Sequence, residues 1–508
     1  MISQPNVLMV WLQQRPRLLE LALLLAGALQ VLGFAPFNLY PIPVLTLAFF
    51  FLAIYHSTLR QAPWRGWLFG VGLFGAGVSW VYHSIHLFGH AIQPIAALLT
   101  LLFVMALSIV YIASQAWLIR RLFARATPWM LVLLFPVTWV LFEWLRGWML
   151  TGFPWLLLGH GQIDTWLSAW APLGGVYAVS LVTALLAGLL AYALMQPRHA
   201  IFALAGAALI LLVSWTLGGL SWTEPDGKPI KVSLIQGNIP QEIKWLPEQR
   251  QPTLDLYRRL TREHWDSDLI IWPETAVPDY LSMVMDDYLV PLEREARLNH
   301  SEILLGIFIY DFNRDGAYNT VIKLGPDPEV YRKRRLVIFG EYIPGRGLLK
   351  WMKNYLDIPM SDLLTGSGKP LIHTAQTTLG MSICYEDAYG EEIADALPES
   401  GLLVNVSNDA WFGDTLAPHQ HLQIARMRAA ELERPLLRAT NTGVSAVIGR
   451  KGEPLAVSPQ FQTDVLTETV QPRKGMTPFA RFRNHPVVIL LFVLLLIAAW
   501  IYRKEQSA

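Results

Sequence analysis

The sequence predicts two fold classes in one chain: a polytopic α-helical membrane region of eight spans and an α/β domain held outside the membrane. Three observations predict this. Charge is unevenly spread. Residues 1–222 carry nine Arg, no Lys and three acids (Glu20, Glu143, Asp164), whereas the other 286 residues hold 67 of the 79 charged side chains. The second share is ordinary for a soluble domain and the first is far too low for one. Next, eight apolar stretches approach the ~20 residues that a span needs. Finally, from Ile230 onward short Val- and Ile-rich runs alternate with helical stretches, the pattern of strands covered by helices. A net charge of +1 gives no reason to expect nucleic-acid binding. The single cysteine, Cys384, excludes an intramolecular disulfide and a thiolate metal cluster.

The spans read as residues 18–36, 38–56, 66–86, 92–118, 128–148, 168–195 and 200–221, with an eighth at Val487–Tyr502. The first lacks a suitably placed small-residue cleavage site and reads as a retained span. With eight spans, Arg15, Arg17, Arg60, Arg65, Arg120, Arg121, Arg125, Arg198, Arg503 and Lys504 all fall on one side, and the opposite short loops hold only Arg146. That asymmetry puts both termini in the cytoplasm and residues 223–480 outside. Arg473, Lys474, Arg481 and Arg483 lie on the outer side, after a long translocated domain where the rule weakens. The expected domains are 1–222 (seven spans), 223–472 (the soluble domain) and 473–508 (linker and eighth span).

Glu143 and Arg146, in FEWLRGW, lie three residues apart on one helical face near the outer end of a span. They read either as an interfacial ion pair anchored by Trp144, Trp148 and Trp155 or as a functional pair, because charge this close to hydrocarbon is costly. The sequence leaves both open.

In the soluble part, IKVSLIQGNI, DLIIWPET, EILLGIFIYD, NTVIKLG, MSICYED, LLVNVSND and SAVIGR read as strands, and 247–264, 280–299 and 418–433 as helices. Polar residues punctuate the strand ends (Gln236–Asn238, Glu274, Glu386–Asp387, Asn405–Asp409), where sites of α/β proteins often lie. No HExxH is present, so no metal is expected. Gly366–Lys369 lacks the remainder of a P-loop, and Gly443–Val447 fails GxSxG. His419 and His421, two apart, read as surface or packing residues.

WPET sets Glu274 after an apolar run. YRKRRLVIFGEYIP sets Lys333 and Glu341 eight residues apart. SICYEDAYG sets Cys384 after another strand, with Tyr385, Glu386 and Asp387 behind it. A carboxylate, an amine and a thiol at the ends of separate strands are the parts of a nucleophilic acyl-transfer site. The thiol needs a base, and an amine with a backbone N–H can hold an oxyanion. Taken singly, each has a plainer reading: a small buried hydrophobe, a cap, a solvated cation.

WPET, the Y-x-K-x-x-L-V-x-F-G-E segment and the CYE segment resemble the Glu-Lys-Cys signature of the nitrilase (carbon–nitrogen hydrolase) superfamily. Seven spans before such a domain and one after, with EWLRGWMLTGFPWL, QGNIPQEIKW and NVSNDAWFGD, resemble its membrane-embedded branch, the apolipoprotein N-acyltransferases. One departure is Ile338, where that family commonly has Pro. The resemblance implies an αββα sandwich on the periplasmic side of a bacterial inner membrane and a two-step reaction without a cofactor. Cys384 would take an acyl chain from the sn-1 position of a phospholipid, typically phosphatidylethanolamine, as a thioester. It would then pass the chain to the α-amine of an apolipoprotein's S-diacylglyceryl-cysteine. Glu274 would be the general base, and Lys333 with the Tyr385 N–H would hold the oxyanion. Glu341 would hold Lys333 and the amine, Tyr385 and Glu386 would support the loop, and Trp245 would contact lipid. No ATP is needed, since ester to thioester to amide runs downhill.

The apolar, Gly-punctuated stretch Tyr342–Asp362 reads as a mobile lid. No oligomer signal is visible, so a monomer is expected. Two other readings are a tethered amidase acting on a small amide and a transporter with an outer binding domain. A tether needs one span, and these spans hold few polar residues with which to line a pathway.

Overall fold

A computed structural model describes residues 11–325, 327–342 and 363–507. Apart from Tyr342, the stretch read as a lid lies outside the described residues. The chain forms two compact units: Met1–Tyr82 with Gln93–Leu220 and Phe482–Ala508, and His83–Ile92 with Ser221–Arg481.

The first unit is helical. Pro16 and Pro41 open their helices, where a fixed φ and a missing N–H cost nothing. Helices Pro16–Gln30 and Gln61–Gly77 meet backbone to backbone: a Cβ on Gly27 would lie 2.0 Å from the Phe69 carbonyl oxygen, and one on Gly72 would lie 2.0 Å from that of Leu24. Small residues at a crossing give apolar helices close van der Waals contact without a hydrophobic driving force. Among the described residues, six helices are long and apolar enough to cross a membrane: Pro16–Gly33, Gln93–Leu122, Trp129–Arg146, Trp166–Met195, Pro197–Gly218 and His485–Ser507. Gln61–Gly77 and Val81–Phe88, bent by 61°, make up to seven if counted as one span. The second expected span, 38–56, corresponds to the apolar helix Pro41–Tyr55, 15 residues long.

Glu143 and Arg146 are buried within the helical unit, 3% and 2% exposed. Among the described residues they form no ion pair within 4 Å. Glu143 Oε1 instead accepts from Trp139 Nε1 (3.1 Å) and Leu158 N (2.7 Å), and Arg146 Nη2 donates to the Leu156 carbonyl (3.2 Å). Both groups pin the segment after their own helix, and Trp155 is fully buried there.

The second unit carries the strands β1 (Thr223–Pro225), β2 (Ile230–Gln236), β3 (Leu269–Ile271), β4 (Glu302–Asp311), β5 (Gly316–Leu324), β6 (Val330–Arg332), β7 (Leu371–His373), β8 (Thr378–Ile383), β9 (Leu402–Ser407), β10 (Leu436–Thr440), β11 (Ala446–Ile448), β12 (Pro454–Val457), β13 (Asp464–Val470) and β14 (Arg473–Gly475). Two six-stranded sheets run β13-β2-β3-β4-β5-β6 and β12-β11-β10-β9-β8-β7, and β1 pairs with β14. Each large sheet has a parallel triplet, β2-β3-β4 or β8-β9-β10, bordered by antiparallel strands.

Strand parity builds the layers. Val232, Leu234, Leu269, Ile271 and Leu304 of one sheet pack against Leu379, Met381, Leu402, Val404 and Leu437 of the other. The opposite faces are covered too. Ile235, Ile270 and Ile303 meet Leu254 and Tyr257 of helix Pro247–Arg262 and Leu292 of Val290–Leu298. Leu403 and Leu436 meet Ala425 and Ala429 of helix Ala417–Leu432. This is an αββα sandwich. Burial on both faces explains why its central strands read as continuous apolar runs.

Candidate active site

The nucleophile candidate stands where β8 ends. Cys384 opens the 3₁₀ turn Cys384–Ala388 with φ +52°, a left-handed conformation that a residue bearing a Cβ adopts only when its surroundings impose it. Glu386 supplies much of that imposition. Its Oε2 accepts from Ile383 N (2.7 Å) and Tyr331 OH (2.8 Å), and its Oε1 accepts from the N–H groups of Arg334 (2.7 Å) and Arg335 (3.0 Å). One buried carboxylate thus ties the thiol's turn to the segment after β6 that carries Lys333.

Glu274 lies three residues past β3. Its loop crosses β4 at Gly306, where a Cβ would come within 2.4 Å of Thr275 N and 2.5 Å of the Pro273 carbonyl oxygen. Glu274 Oε1 accepts from Asn319 Nδ2 on β5 (2.7 Å) and lies 3.5 Å from Lys333 Nζ; its Oε2 is buried with no hydrogen-bond partner among the described residues. Lys333 Nζ donates to Glu341 Oε1 (2.7 Å), and Glu341 Oε2 accepts from Val337 N (2.8 Å). The ammonium therefore sits between two carboxylates. Burial pulls Lys333 down, but Glu341 and Glu274 outweigh it and hold the group well above its usual range. Burial and the Glu274 carboxylate push the Cys384 thiol up, against the opposing pull of Lys333. The site thus favours the thiol form of Cys384, and the Glu274 carboxylate that acts on it keeps one oxygen without a hydrogen-bond partner among the described residues.

The structure thus brings Glu274, Lys333, Glu341, Cys384 and Glu386 into one buried cluster. Tyr385 stacks edge-on against Tyr389 at 5.3 Å between ring centroids. Trp245 is 41% exposed and stacks on Phe308 of β4 at 5.7 Å. Glu143 and Arg146 belong to the helical unit and are described there.

Sequence reasoning missed three features. Asn319 gave no signal inside its strand. Lys244, beside Trp245, is buried and donates to Thr275 Oγ1 (2.9 Å); burial pulls it down to about 8 despite the nearby Glu274 carboxylate. His421, read as a surface or packing residue, lies fully buried between Asp387 and Asp409. The polar run Asn405–Asp409 was its only sequence signal.

The two-sheet fold, with its acid, amine and thiol at strand ends, falls in the carbon–nitrogen hydrolase class. The carbon-nitrogen hydrolase family description matches residues 231–475, and the apolipoprotein N-acyltransferase N-terminal domain description matches residues 26–189. An apolipoprotein N-acyltransferase of Methylococcus capsulatus is 45% identical over 472 residues, covering 92% of this chain and 94% of that one. One of Azotobacter vinelandii is 42% identical over 502 residues, covering 96% of each. A solved CN-hydrolase superfamily protein of Xanthomonas campestris is 19% identical, covers 48% of this chain and 91% of that one, and has a TM-score of 0.37. The chain belongs to the apolipoprotein N-acyltransferase family.

Proposed function

We propose that this protein transfers an acyl chain from the sn-1 position of a phospholipid, phosphatidylethanolamine in the first instance, to the α-amine of the S-diacylglyceryl-cysteine at the N-terminus of an apolipoprotein. The observation that carries the mechanism is the buried cluster in which Glu274 and Lys333 act on the Cys384 thiol and Glu341 holds Lys333.

Glu274 takes the thiol proton as sulfur attacks the ester carbonyl. Lys333 Nζ and the Tyr385 N–H hold the oxyanion. The carbon–oxygen bond breaks, Glu274 returns the proton to the departing alkoxide, and a lysophospholipid leaves. The amine then attacks the thioester and Glu274 takes its proton; the carbon–sulfur bond breaks, Glu274 returns the proton to the Cys384 sulfur, and the amide leaves with thiol and carboxylate restored. Each half replaces one difficult step by an easier one. Trp245, exposed beside Lys244, contacts a lipid chain.

The charge asymmetry supports eight spans, cytoplasmic termini and a periplasmic catalytic domain in the inner membrane. Helix Pro41–Tyr55, at ~1.5 Å per residue, falls short of a ~30 Å hydrocarbon core and would cross where the bilayer thins. Mass spectrometry of the protein after exposure to phospholipid, without acceptor, tests the reading. A hydroxylamine-labile acyl group on Cys384 is expected, absent in Cys384→Ser and reduced about 10²- to 10⁴-fold in Glu274→Ala. Hydrolysis of a small amide with no acyl-enzyme would overturn it.

A further inference from the structure

Beneath the Cys384 turn lie four fully buried charged side chains to which acyl transfer itself assigns no task. Arg438, on β10, donates from Nη1 to Asp387 Oδ2 (2.9 Å) and Asn405 Oδ1 (2.7 Å), and from Nη2 to Asp409 Oδ2 (2.9 Å). His421 joins the same two carboxylates, with Nδ1 2.9 Å from Asp409 Oδ1 and Nε2 2.8 Å from Asp387 Oδ1. Such a set is a poor means of gaining stability, because well-packed apolar side chains would serve as well or better. Its connections suggest another purpose, since each leads to the nucleophile. Asn405, oriented by Arg438, donates from Nδ2 to the Cys384 carbonyl (3.2 Å). Ser407 Oγ lies 3.0 Å from Asp409 Oδ1, and Ser407 is among the groups that favour ionisation of the Cys384 thiol. Asp387 belongs to the same short turn as Cys384.

We infer that Arg438, Asp387, Asp409 and His421 are positioning residues that hold Cys384 in its left-handed conformation and aim its sulfur, acting through Asn405 on the backbone and Ser407 on the side chain. This rests on the reading of Cys384 as the acyl-accepting nucleophile. The groups that set the thiol's charge are Glu274 and Asp409, which oppose ionisation, and Lys333, Ser407 and Arg438, which favour it.

The test uses the full-length protein in detergent micelles, as wild type, Arg438→Lys and Ser407→Ala. Two rates are read: acyl-enzyme formation from phosphatidylethanolamine at varied concentration, and alkylation of Cys384 by iodoacetamide across pH. Both variants should form acyl-enzyme about tenfold more slowly with KM nearly unchanged, the signature of a misaimed reacting group. Both should move the alkylation midpoint to higher pH. A purely structural role would lower the unfolding temperature and leave both the midpoint and the acylation rate in place, and that result overturns the inference. If Arg438→Lys does not fold, Ser407→Ala decides, since it keeps all four charges. If wild-type protein takes no acyl group, the nucleophile reading has failed, and the alkylation midpoints still decide the positioning.

Discussion

Lys333 is the residue on which the site's charge balance turns. It is the one cation within hydrogen-bonding distance of both Glu274 and Glu341 among the described residues. Lys333→Met should therefore do two separable things. Loss of an oxyanion donor should cut acyl-enzyme formation about 10²- to 10³-fold. Leaving two carboxylates buried without their partner should cost about 3–5 kcal/mol of stability, read from denaturant unfolding. A variant with full activity would remove Lys333 from the reaction. At this scale, legibility followed local pattern. Glu274, Cys384 and Glu386 lie just past apolar runs, and the run marks a strand end; Lys333 follows the short polar strand β6 and was marked only by its eight-residue spacing to Glu341 and by the resemblance. Lys244, Asn319 and Arg438 have partners 31, 45 and 51 residues away, and one polar side chain in its own segment does not reveal a distant partner.

Elements show the same division. The central strands were readable because both their faces are buried, and the three helical stretches matched Pro247–Arg262, the broken helix Leu281–Leu298 and Ala417–Leu432 within a few residues. The strands β12 and β13 were not, because they lie at sheet edges with half-exposed, polar-interleaved sequences (PLAV, DVLTETV) that look like loops. β10 was hidden by Arg438 in its middle. The third apolar segment, read as one span over 66–86, is broken at Val78–Trp80. Gly306, inside β4, was not singled out from the sequence; the structure shows the Glu274 loop approaching it closely, where a Cβ would lie 2.4 Å from Thr275 N. Gly306→Ala should displace that loop while leaving secondary structure by circular dichroism intact. A shift of about 1 Å there is enough to slow acyl-enzyme formation about a hundredfold. Wild-type activity in this variant would show that the loop can yield without moving its carboxylate.

Across the whole molecule, buried charge makes stability depend on pH. Burial and Arg438 pull His421 down, but Asp387 and Asp409 outweigh them and hold it at about 9, against 6.5 for the ordinary group. A folded-state value above the unfolded one means that the contribution is complete below about 6.5 and is lost as pH rises through about 9. The shift corresponds to about 3 kcal/mol. Lys244, pulled the other way, adds stability as pH rises above about 8, so the test is the difference between wild type and His421→Gln. That difference in unfolding free energy should shrink from pH 6 to pH 10. A constant difference would mean that His421 is buried neutral.

The sheet order has a consequence for how the protein is made. The sheet bearing Glu274 is sealed along β2 by β13, a pairing that joins Ser233 to Thr467 across 234 residues. Synthesis runs from the N-terminus, so β2 leaves the ribosome long before its outer neighbour exists. Through translation of the whole nucleophile-bearing half, that edge presents an unpaired row of backbone donors and acceptors open to pairing with another chain. A nascent chain stopped before Asp464 would contain every residue of the catalytic cluster and still lack the strand that closes it. Closure of that sheet is therefore a late event in biosynthesis, possible only after β13 has emerged.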